Sequence, residues 1–197
     1  MSVKIIRAGS CRTTPWKNGG GSTTEIVAEP PGASLDDFDW RISMARVAAD
    51  GPFSEFTGID RTLAVVTGNG LMLTIGSNAA VRLDPDSDPV SFAGDIPTSA
   101  RLIAGEITDL NVMTRRSRFS HRVRRIGQPA SCDCGGKEIA VVLSLNGSTT
   151  LASDRDAATL HHGDAAILSG ARNDTLRIVP AISTDCYFVL VYEHQVT

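Results

Sequence analysis

The sequence contains few of the residue types that build metal centres. Its four histidines are His121, His161, His162 and His194, and it has no His-x-His motif. Adjacent side chains of a strand point to opposite faces of a sheet, so His161 and His162 do not bind one metal ion together if they lie in a strand. A metal site requires convergent ligands. We therefore predict no metal and no other cofactor.

Cysteine is equally sparse, with Cys11, Cys132, Cys134 and Cys186 in 197 residues. One residue separates Cys132 from Cys134, whereas a zinc knuckle usually has two residues between its ligands and a second pair elsewhere. We interpret this segment as a loop with incidental cysteines. The chain shows no apolar leader and no apolar run of membrane length. We therefore expect reduced thiols, a cytoplasmic location and no membrane partner.

An excess of positive charge is missing as well. The formal net charge is −3, which argues against nucleic acid as a partner of the whole chain. The segment RRSRFSHRVRR, Arg115 to Arg125, is locally basic, but no recognition helix accompanies it. We interpret most of its arginines as a solvated strand edge. Arg115 differs, because it shares a strand face with Asn111 and Met113 if that strand is regular.

Short apolar runs rich in β-branched residues fill most of the chain, and long helical periodicity is scarce. In RTLAVVTGNGLMLTIG, the turn Gly68-Asn69-Gly70 separates two such runs, which predicts a hairpin of Thr62–Val66 and Leu71–Ile75. In WRISMARV, alternation places Arg41 and Ser43 on one face of a strand. These patterns predict an all-β fold with little helix.

The β-pattern occurs twice along the chain. An Ala-Val-Val strand begins at Ala64 and again at Ala140, and a Thr-Asp pair begins at Thr108 and again at Thr184, in both cases 76 residues later. Two matches at one spacing indicate an internal duplication. Repeated short strands predict two jelly-roll, cupin-like barrels. We place the first barrel at residues 1–125 and the second at 126–197, packed as one compact unit, with N-terminal strands as candidate contributors to the second barrel.

Two catalytic frameworks are absent from the sequence. NGGGSTTE lacks the order of a Walker loop, because Lys17 precedes the glycines and a strand pattern follows them. Ser54, in GPFSEF, stands outside the Gly-x-Ser-x-Gly elbow of serine hydrolases.

Arg61 precedes a predicted central strand, where it either pairs with Asp60 or Glu55 or is available for an anionic ligand.

Four segments in a fixed order carry a family resemblance: PWKNGGGSTTEI, DFDWRISMARVAADGPFSEFTGIDRTLAVVTGNGLML, FAGD and DLNVMTRR. Together they resemble the HutD/Ves family of small bacterial cytoplasmic proteins with a bicupin fold. The resemblance covers the first two-thirds of the chain closely, and the rest mainly in its β-pattern and in LHHGDA. It implies a metal-free first barrel with a small-ligand pocket. The family's motif positions correspond here to Trp16, Asn18, Gly19, Thr24, Glu25, Trp40, Arg41, Ser43, Phe53, Ser54, Arg61, Asn111, Met113 and Arg115.

The resemblance also implies a function. HutD members are encoded with histidine-utilisation enzymes, and Ves members are associated with stress. The favoured interpretation is a regulatory or accessory protein of histidine utilisation that binds a small carboxylate-bearing molecule, urocanate or formiminoglutamate, without catalytic residues. The alternatives are a metal-independent hydrolase or isomerase with Glu25 or a histidine as acid–base group, a Ves-type stress-associated protein, and a protein-interaction module at the arginine-rich segment. A homodimer is kept as a candidate assembly.

Side-chain chemistry supports an anionic ligand in the first barrel. Arg41, Arg61 and Arg115 offer guanidinium groups that pair with a carboxylate. Trp16 or Trp40 offers a ring that stacks on a planar group. A pocket with a few convergent polar groups and aromatic walls is typical of small-molecule sites.

The glycine run in TTPWKNGGGSTTEI is interpreted as a hinge beside this pocket. Glycine tolerates backbone conformations that other residues avoid, so the run allows a tight bend. We expect the bend to bring Trp16 and Asn18 over the pocket and to point Thr24 or Glu25 inward.

Overall fold

The protein is built almost entirely from β-strands. The computed structural model describes residues 2–133, 138–153, 157–169 and 175–195. In these ranges the helical structure is one 3-10 turn, Ala8–Ser10, which confirms the predicted all-β fold. No helix of the described ranges has the length and apolar character needed to cross a membrane. Cys134, part of the predicted cysteine loop, lies outside the described residues.

The strands are mostly short and rich in β-branched and apolar residues, which fit a half-buried pleated surface. In chain order the first ten are β1 Ser2–Ile6, β2 Arg12–Pro15, β3 Gly21–Glu29, β4 Trp40–Val47, β5 Gly51–Pro52, β6 Ile59–Thr67, β7 Leu71–Ile75, β8 Val81–Leu83, β9 Val90–Ala93 and β10 Thr98–Leu102. The others are β11 Ile107–Arg115, β12 Phe119–Ile126, β13 Ala130–Asp133, β14 Ile139–Ser144, β15 Thr149–Ala152, β16 Ala157–Leu160, β17 Asp164–Ser169, β18 Thr175–Pro180 and β19 Cys186–Glu193.

The chain divides into two compact units. We call the unit of Arg12–Ser120 and His194–Thr197 the N-half barrel, and the unit of Met1–Cys11 and His121–Glu193 the C-half barrel. Strand β1 pairs with β17 and so belongs to the C-half barrel. The domain boundary predicted between residues 125 and 126 stays a prediction.

The N-half barrel consists of two sheets around an apolar core. Its six-stranded sheet has the order β2-β3-β4-β11-β6-β9, and its four-stranded sheet has the order β5-β10-β7-β8. Leu63 and Val65 of the first sheet pack with Leu71, Leu73 and Leu83 of the second, all of them at most 2% exposed. Two facing antiparallel sheets with a shared core form the expected jelly-roll architecture.

The C-half barrel repeats this architecture. Its five-stranded sheet has the order β1-β17-β14-β19-β12, and its four-stranded sheet has the order β13-β18-β15-β16. Val142 and Phe188 of the first sheet share a core with Leu151, Leu176 and Ile178 of the second. The core of this unit is therefore also formed between two sheets.

The hairpin predicted around Gly68-Asn69-Gly70 is wrong. Strand β6 pairs with β11 and β9, whereas β7 pairs with β10 and β8, so the two strands belong to different sheets. Gly68 and Gly70 both have positive φ angles, 95° and 93°, and a Cβ on Gly70 would lie 2.3 Å from the Leu83 carbonyl oxygen. These glycines let the chain cross from one sheet to the other instead of folding back on itself.

The two barrels share a strand pairing but not its register. Strand β6 pairs with β11, and β14 pairs with β19. Ala64 lies opposite Leu110, whereas Ala140, 76 residues after Ala64, lies opposite Leu190. The repeated sequence therefore gives the same neighbouring strands with different cross-strand partners.

Candidate functional site

A polar row crosses the inner face of the six-stranded sheet. Glu25 lies opposite Ser43, and Ser43 lies opposite Asn111. One step further along the strands, Arg41 and Arg61 flank Met113 from either side. Directly opposed residues project from the same face of a sheet, so strands β3, β4, β11 and β6 bring these side chains together.

Arg41 links the outer part of this row. Its Nε donates to Oε2 of Glu25 at 2.8 Å, and its Nη1 donates to Oγ of Ser43 at 3.1 Å. The Glu25 side chain is 38% exposed and that of Arg41 only 10%. Solvent therefore reaches the row from the Glu25 side.

Arg61 forms the inner part of the row with Asn111 and Asp109. Its Nε donates to Oδ1 of Asn111 at 2.8 Å, and its Nη2 donates to the same oxygen. Nδ2 of Asn111 in turn donates to Oδ1 of Asp109 at 2.6 Å. Asp109 thus fixes the orientation of the Asn111 amide, and Asn111 fixes that of the guanidinium.

Burial sets the electrostatics of Arg61. The residue is 7% exposed, and burial lowers the pKa of its guanidinium to about 10, an effect that nearby Arg41 reinforces and Asp109 opposes. Its hydrogen bonds to Asn111 use Nε and Nη2, and no acceptor among the described residues meets Nη1. Neither Asp60 nor Glu55 pairs with Arg61; Asp60 instead accepts from Arg116 at 2.7 Å.

Asp109 belongs to the row but was not among the residues predicted from the sequence. It is 1% exposed, and its Oδ2 has no hydrogen-bond partner among the described residues. Burial raises the pKa of its carboxyl to about 7, against the opposing charge of Arg61 and hydrogen bonds from the Asn111 side chain and the Ala45 backbone. The sequence contains the pattern that predicts its position, because Asp109 falls on the same strand face as Asn111 and Met113 in DLNVMTRR.

Two phenylalanine rings contact the Arg61 guanidinium. Its Cζ lies 4.5 Å from the centroid of Phe53 and 5.6 Å from that of Phe92. Phe92 lies directly opposite Arg61 in the sheet, and it was not among the residues predicted from sequence. Aromatic faces stabilise a buried cation while leaving its N–H groups free for an acceptor.

The glycine run brings Trp16 against the barrel. Trp16 Nε1 donates to Oγ1 of Thr23 at 2.8 Å, and the ring packs on the apolar core of the N-half barrel. A Cβ on Gly21 would lie 2.2 Å from the Arg46 carbonyl oxygen and 2.8 Å from the Trp16 ring. Glycine is required there by this close approach. Asn18 is exposed and accepts from the Gly20 amide at 3.0 Å.

Four predicted residues lie away from the row. Thr24 falls on the other face of β3, where its hydroxyl lies 2.8 Å from that of Thr13. Trp40 alternates to the face opposite Arg41, and Ser54 is exposed. Arg115 donates to the carbonyl oxygens of Phe38 and Asp36, both at 2.9 Å, so its guanidinium holds the loop before β4 instead of joining Arg61.

An open cavity of about 300 Å³ lies in the C-half barrel and not at this row. Its lining is apolar apart from one serine and contains no charged side chain: Val3, Ile5, Leu151, Ser153, Ala157, Ala158 and Leu176. A cavity of this volume can hold a small molecule, but recognition of a carboxylate requires donors and positive charge. We therefore take the row in the N-half barrel as the candidate site.

The sequence matches the model of the HutD family over residues 8–184. The chain belongs to the HutD family. It is 35% identical over 122 residues to an uncharacterized 21.2 kDa protein in the hutC 3' region of Pseudomonas putida, which covers 62% of this chain and 63% of that protein. It is 42% identical over 110 residues to protein Ves of Citrobacter koseri, which covers 55% of this chain and 56% of that protein. Each alignment spans less than two-thirds of the relative's length.

Solved structures confirm the bicupin fold of this HutD-family chain. A structure of HutD from Pseudomonas fluorescens SBW25, from a formate condition, superposes with a TM-score of 0.83 at 28% identity and covers 98% of this chain and all of that one. A cupin 2 conserved barrel domain protein from Leptotrichia buccalis gives a TM-score of 0.55 at 14% identity, with 98% of each chain covered. This second likeness shows the fold alone.

Proposed function

We propose that this protein binds a small carboxylate-bearing molecule in its N-half barrel and acts as an accessory or regulatory protein of histidine utilisation. The observation that carries the proposal is Arg61, a guanidinium held by Asn111 with one terminal nitrogen, Nη1, without a partner among the described residues. A buried cation of this kind is stabilised by an anionic ligand with matching geometry.

The surroundings of Arg61 favour a small, flat anion. The rings of Phe53 and Phe92 lie within 6 Å of the guanidinium carbon, and flat apolar faces suit a conjugated carbon chain or ring. Arg41 lies two strands away, on the other side of Met113 in β11, and adds positive charge to the same face. Urocanate has a conjugated ring and one carboxylate, and formiminoglutamate has two carboxylates. Urocanate therefore meets both requirements, and formiminoglutamate meets the requirement for negative charge.

The biological role rests on the relatives. The family is HutD, and one relative is a protein of the hutC 3' region of Pseudomonas putida. The role in histidine utilisation is therefore proposed from family membership, and the site supplies its chemistry. The described residues of the row do not separate this role from that of the Ves relatives. The identity of the bound ligand is the observation that separates the two roles.

Calorimetry and thermal unfolding with urocanate, formiminoglutamate and histidine test the proposal. A ligand at a hundred times its dissociation constant stabilises the folded state by about 2.7 kcal/mol. We expect this shift for the wild type and for Arg101→Ala, an exposed arginine outside the row, and its loss in Arg61→Ala. Absence of binding by all three compounds would overturn the proposal.

A catalytic role at Glu25 is the second candidate, because its carboxylate is the solvent-accessible member of the row and contacts Arg41. A carboxylate in this position is suited to general acid–base chemistry. This version requires turnover of formiminoglutamate in a coupled assay and loss of that turnover in Glu25→Gln. Binding of formiminoglutamate without its turnover would support the accessory role instead.

A further inference from the structure

The polar row contains two positive and two negative side chains when all four are ionised. The positive groups are Arg41 and Arg61, and the negative groups are Glu25 and Asp109. The facing four-stranded sheet contributes apolar side chains to this core, among them Leu71, Leu73, Leu83 and Ala100. The charges that Asp109 meets are therefore Arg61 from β6, and more distantly Arg41 from β4 and Glu25 from β3.

The two acids of the row have different surroundings. Glu25 is 38% exposed and forms a direct ion pair with Arg41 at 2.8 Å. Asp109 is 1% exposed, and Asn111 lies between it and Arg61. One of its two oxygens, Oδ2, has no hydrogen-bond donor among the described residues. A buried carboxylate with an orphaned oxygen is costly, and a proton on that oxygen removes the charge, which is the larger part of that cost.

An anionic ligand changes the charge balance of the row. With all four side chains ionised, a carboxylate bound at Arg61 leaves one excess negative charge in a poorly solvated interior. Such a charge is expensive at low local dielectric. Protonation of one acid restores neutrality, and Asp109 is the acid that lacks both solvent and a direct cationic partner.

We propose that Asp109 is the proton-binding group of the carboxylate site, so that binding of an anion at Arg61 is accompanied by uptake of one proton from solvent onto Asp109. The proposal rests on carboxylate binding in the N-half barrel and adds a specificity-determining residue to it. It agrees with the carboxyl pKa of about 7 before any ligand binds, because added negative charge raises that pKa further.

The position of Asp109 also explains why the proton does not disrupt Arg61. Nδ2 of Asn111 donates to Oδ1 of Asp109, so Oδ2 is the oxygen that receives the proton. The hydrogen bonds from Asn111 to Asp109 and from Arg61 to Asn111 are then kept in both protonation states. Asp109 changes charge while the guanidinium stays in the orientation that binds the anion.

Calorimetric titration with formate and with glutarate tests this coupling, since both stay ionised between pH 6 and 8.5. Each titration is run in two buffers of different ionisation enthalpy, which counts the protons taken up. For the wild type we expect uptake of up to about half a proton near pH 7, rising toward one proton at higher pH, and an affinity that weakens by up to about tenfold per pH unit above pH 7. Asp109→Asn should show no uptake and no such pH dependence, whereas Asp88→Asn, an exposed control, should behave as wild type.

Three results overturn the coupling, and they are distinguishable. Equal binding heats in both wild-type buffers at pH 7 would mean that anions bind without a proton, which leaves carboxylate binding intact. Undiminished proton uptake in Asp109→Asn would assign the proton to another group. No binding of either probe at pH 6 would overturn the carboxylate site and the coupling together. If Asp109→Asn does not fold, the two-buffer comparison on the wild type decides alone.

Discussion

The two barrels contain the same Thr-Asp dipeptide in contrasting environments. Asp109 lies inside β11, which begins at Ile107, and is 1% exposed. Asp185 lies just before β19, which begins at Cys186. It accepts from Nδ2 of Asn146 and lies 3.5 Å from Nη1 of Arg125. The difference teaches that the point where a strand begins decides whether a repeated acid is fully buried or, like the 18% exposed side chain of Asp185, stays in partial contact with solvent.

The barrel interiors differ in the same way. In the N-half barrel Arg61, Asn111 and Asp109 interrupt the apolar core with a hydrogen-bonded row. In the C-half barrel the corresponding core is formed by apolar residues such as Val142, Leu176 and Phe188. The two sheets of the C-half barrel therefore enclose an apolar core, whereas those of the N-half barrel also enclose charged side chains.

Matched core truncations give the largest expected effects on this comparison. Leu63→Ala in the N-half barrel and Leu176→Ala in the C-half barrel each remove a side chain that is at most 1% exposed. We expect each to lower the free energy of unfolding by about 2–5 kcal/mol in chemical denaturation. Leu63 lies opposite Asn111, so only its truncation should also weaken binding of urocanate. Equal loss of binding in both variants would contradict the separation of roles.

The pH dependence of stability sharpens the contrast between Asp109 and Asp185. Burial raises the pKa of folded Asp109 to about 7, above the value of about 3.9 for an unfolded aspartate. The folded state therefore binds more protons than the unfolded state between these values, so stability falls as the pH rises through this window and levels off above about pH 7.

Urea denaturation from pH 5 to pH 8 measures this effect. Relative to Asp109→Asn, the wild type should lose on the order of a few kcal/mol across the window. Asp185→Asn is the matched control, because it removes the repeated carboxylate that lies outside the row. A wild-type slope identical to that of Asp109→Asn would show that Asp109 is ionised throughout.

Removal of an aromatic contact gives a smaller effect. Phe53→Leu keeps an apolar side chain but removes the ring 4.5 Å from the Arg61 guanidinium carbon. Cation–π contacts contribute about 0.5–2 kcal/mol, so we expect urocanate affinity to fall by roughly 2- to 30-fold in calorimetry. Phe56→Leu, whose ring pairs with Phe38 at 6.3 Å, is the control. A similar loss in both variants would argue against a specific role for Phe53.

The arginine-rich segment should give the smallest effect. Arg118 is 54% exposed and pairs with both carboxylate oxygens of Asp39 at 2.6 and 2.7 Å. Exposed ion pairs typically contribute about 0–1 kcal/mol. Arg118→Ala should therefore change the free energy of unfolding by no more than that, and it should leave carboxylate affinity unchanged. A large loss of affinity would extend the site beyond the inner face.

Periodicity predicted the parts of this molecule that depend on local sequence. Alternation in WRISMARV correctly separates the face of Arg41 and Ser43 from that of Trp40, and β-branched runs give the strands. The hairpin at Gly68-Asn69-Gly70 failed because sheet membership depends on partners distant in the chain. A Gly-Asn-Gly turn allows the chain either to fold back within one sheet or to cross to the facing sheet. The packing of the two sheets decides between these outcomes.

The site was harder to anticipate than the fold. Arg61 and Asn111 are 50 residues apart, and only the pairing of β6 with β11 brings them together. Phe92 joins them from a further strand. Arg115 has the right alternation, but it lies at the end of β11, where the carbonyl oxygens of Asp36 and Phe38 are within reach. The alternation of residues along a strand predicts the face of the sheet on which each side chain lies. At the end of a strand, contacts with neighbouring loops decide whether that side chain joins the interior.

The central claim is that the N-half barrel binds the carboxylate and the C-half barrel does not. Nuclear magnetic resonance of ¹⁵N-labelled protein titrated with urocanate tests it most directly, because the arginine side-chain and leucine backbone signals report on the two interiors separately. We expect the Nε–H signal of Arg61 to shift with saturation while the amide signals of Leu151 and Leu176 in the C-half cavity stay in place. Saturable shifts at Leu151 and Leu176 with an unchanged Arg61 signal would contradict the claim.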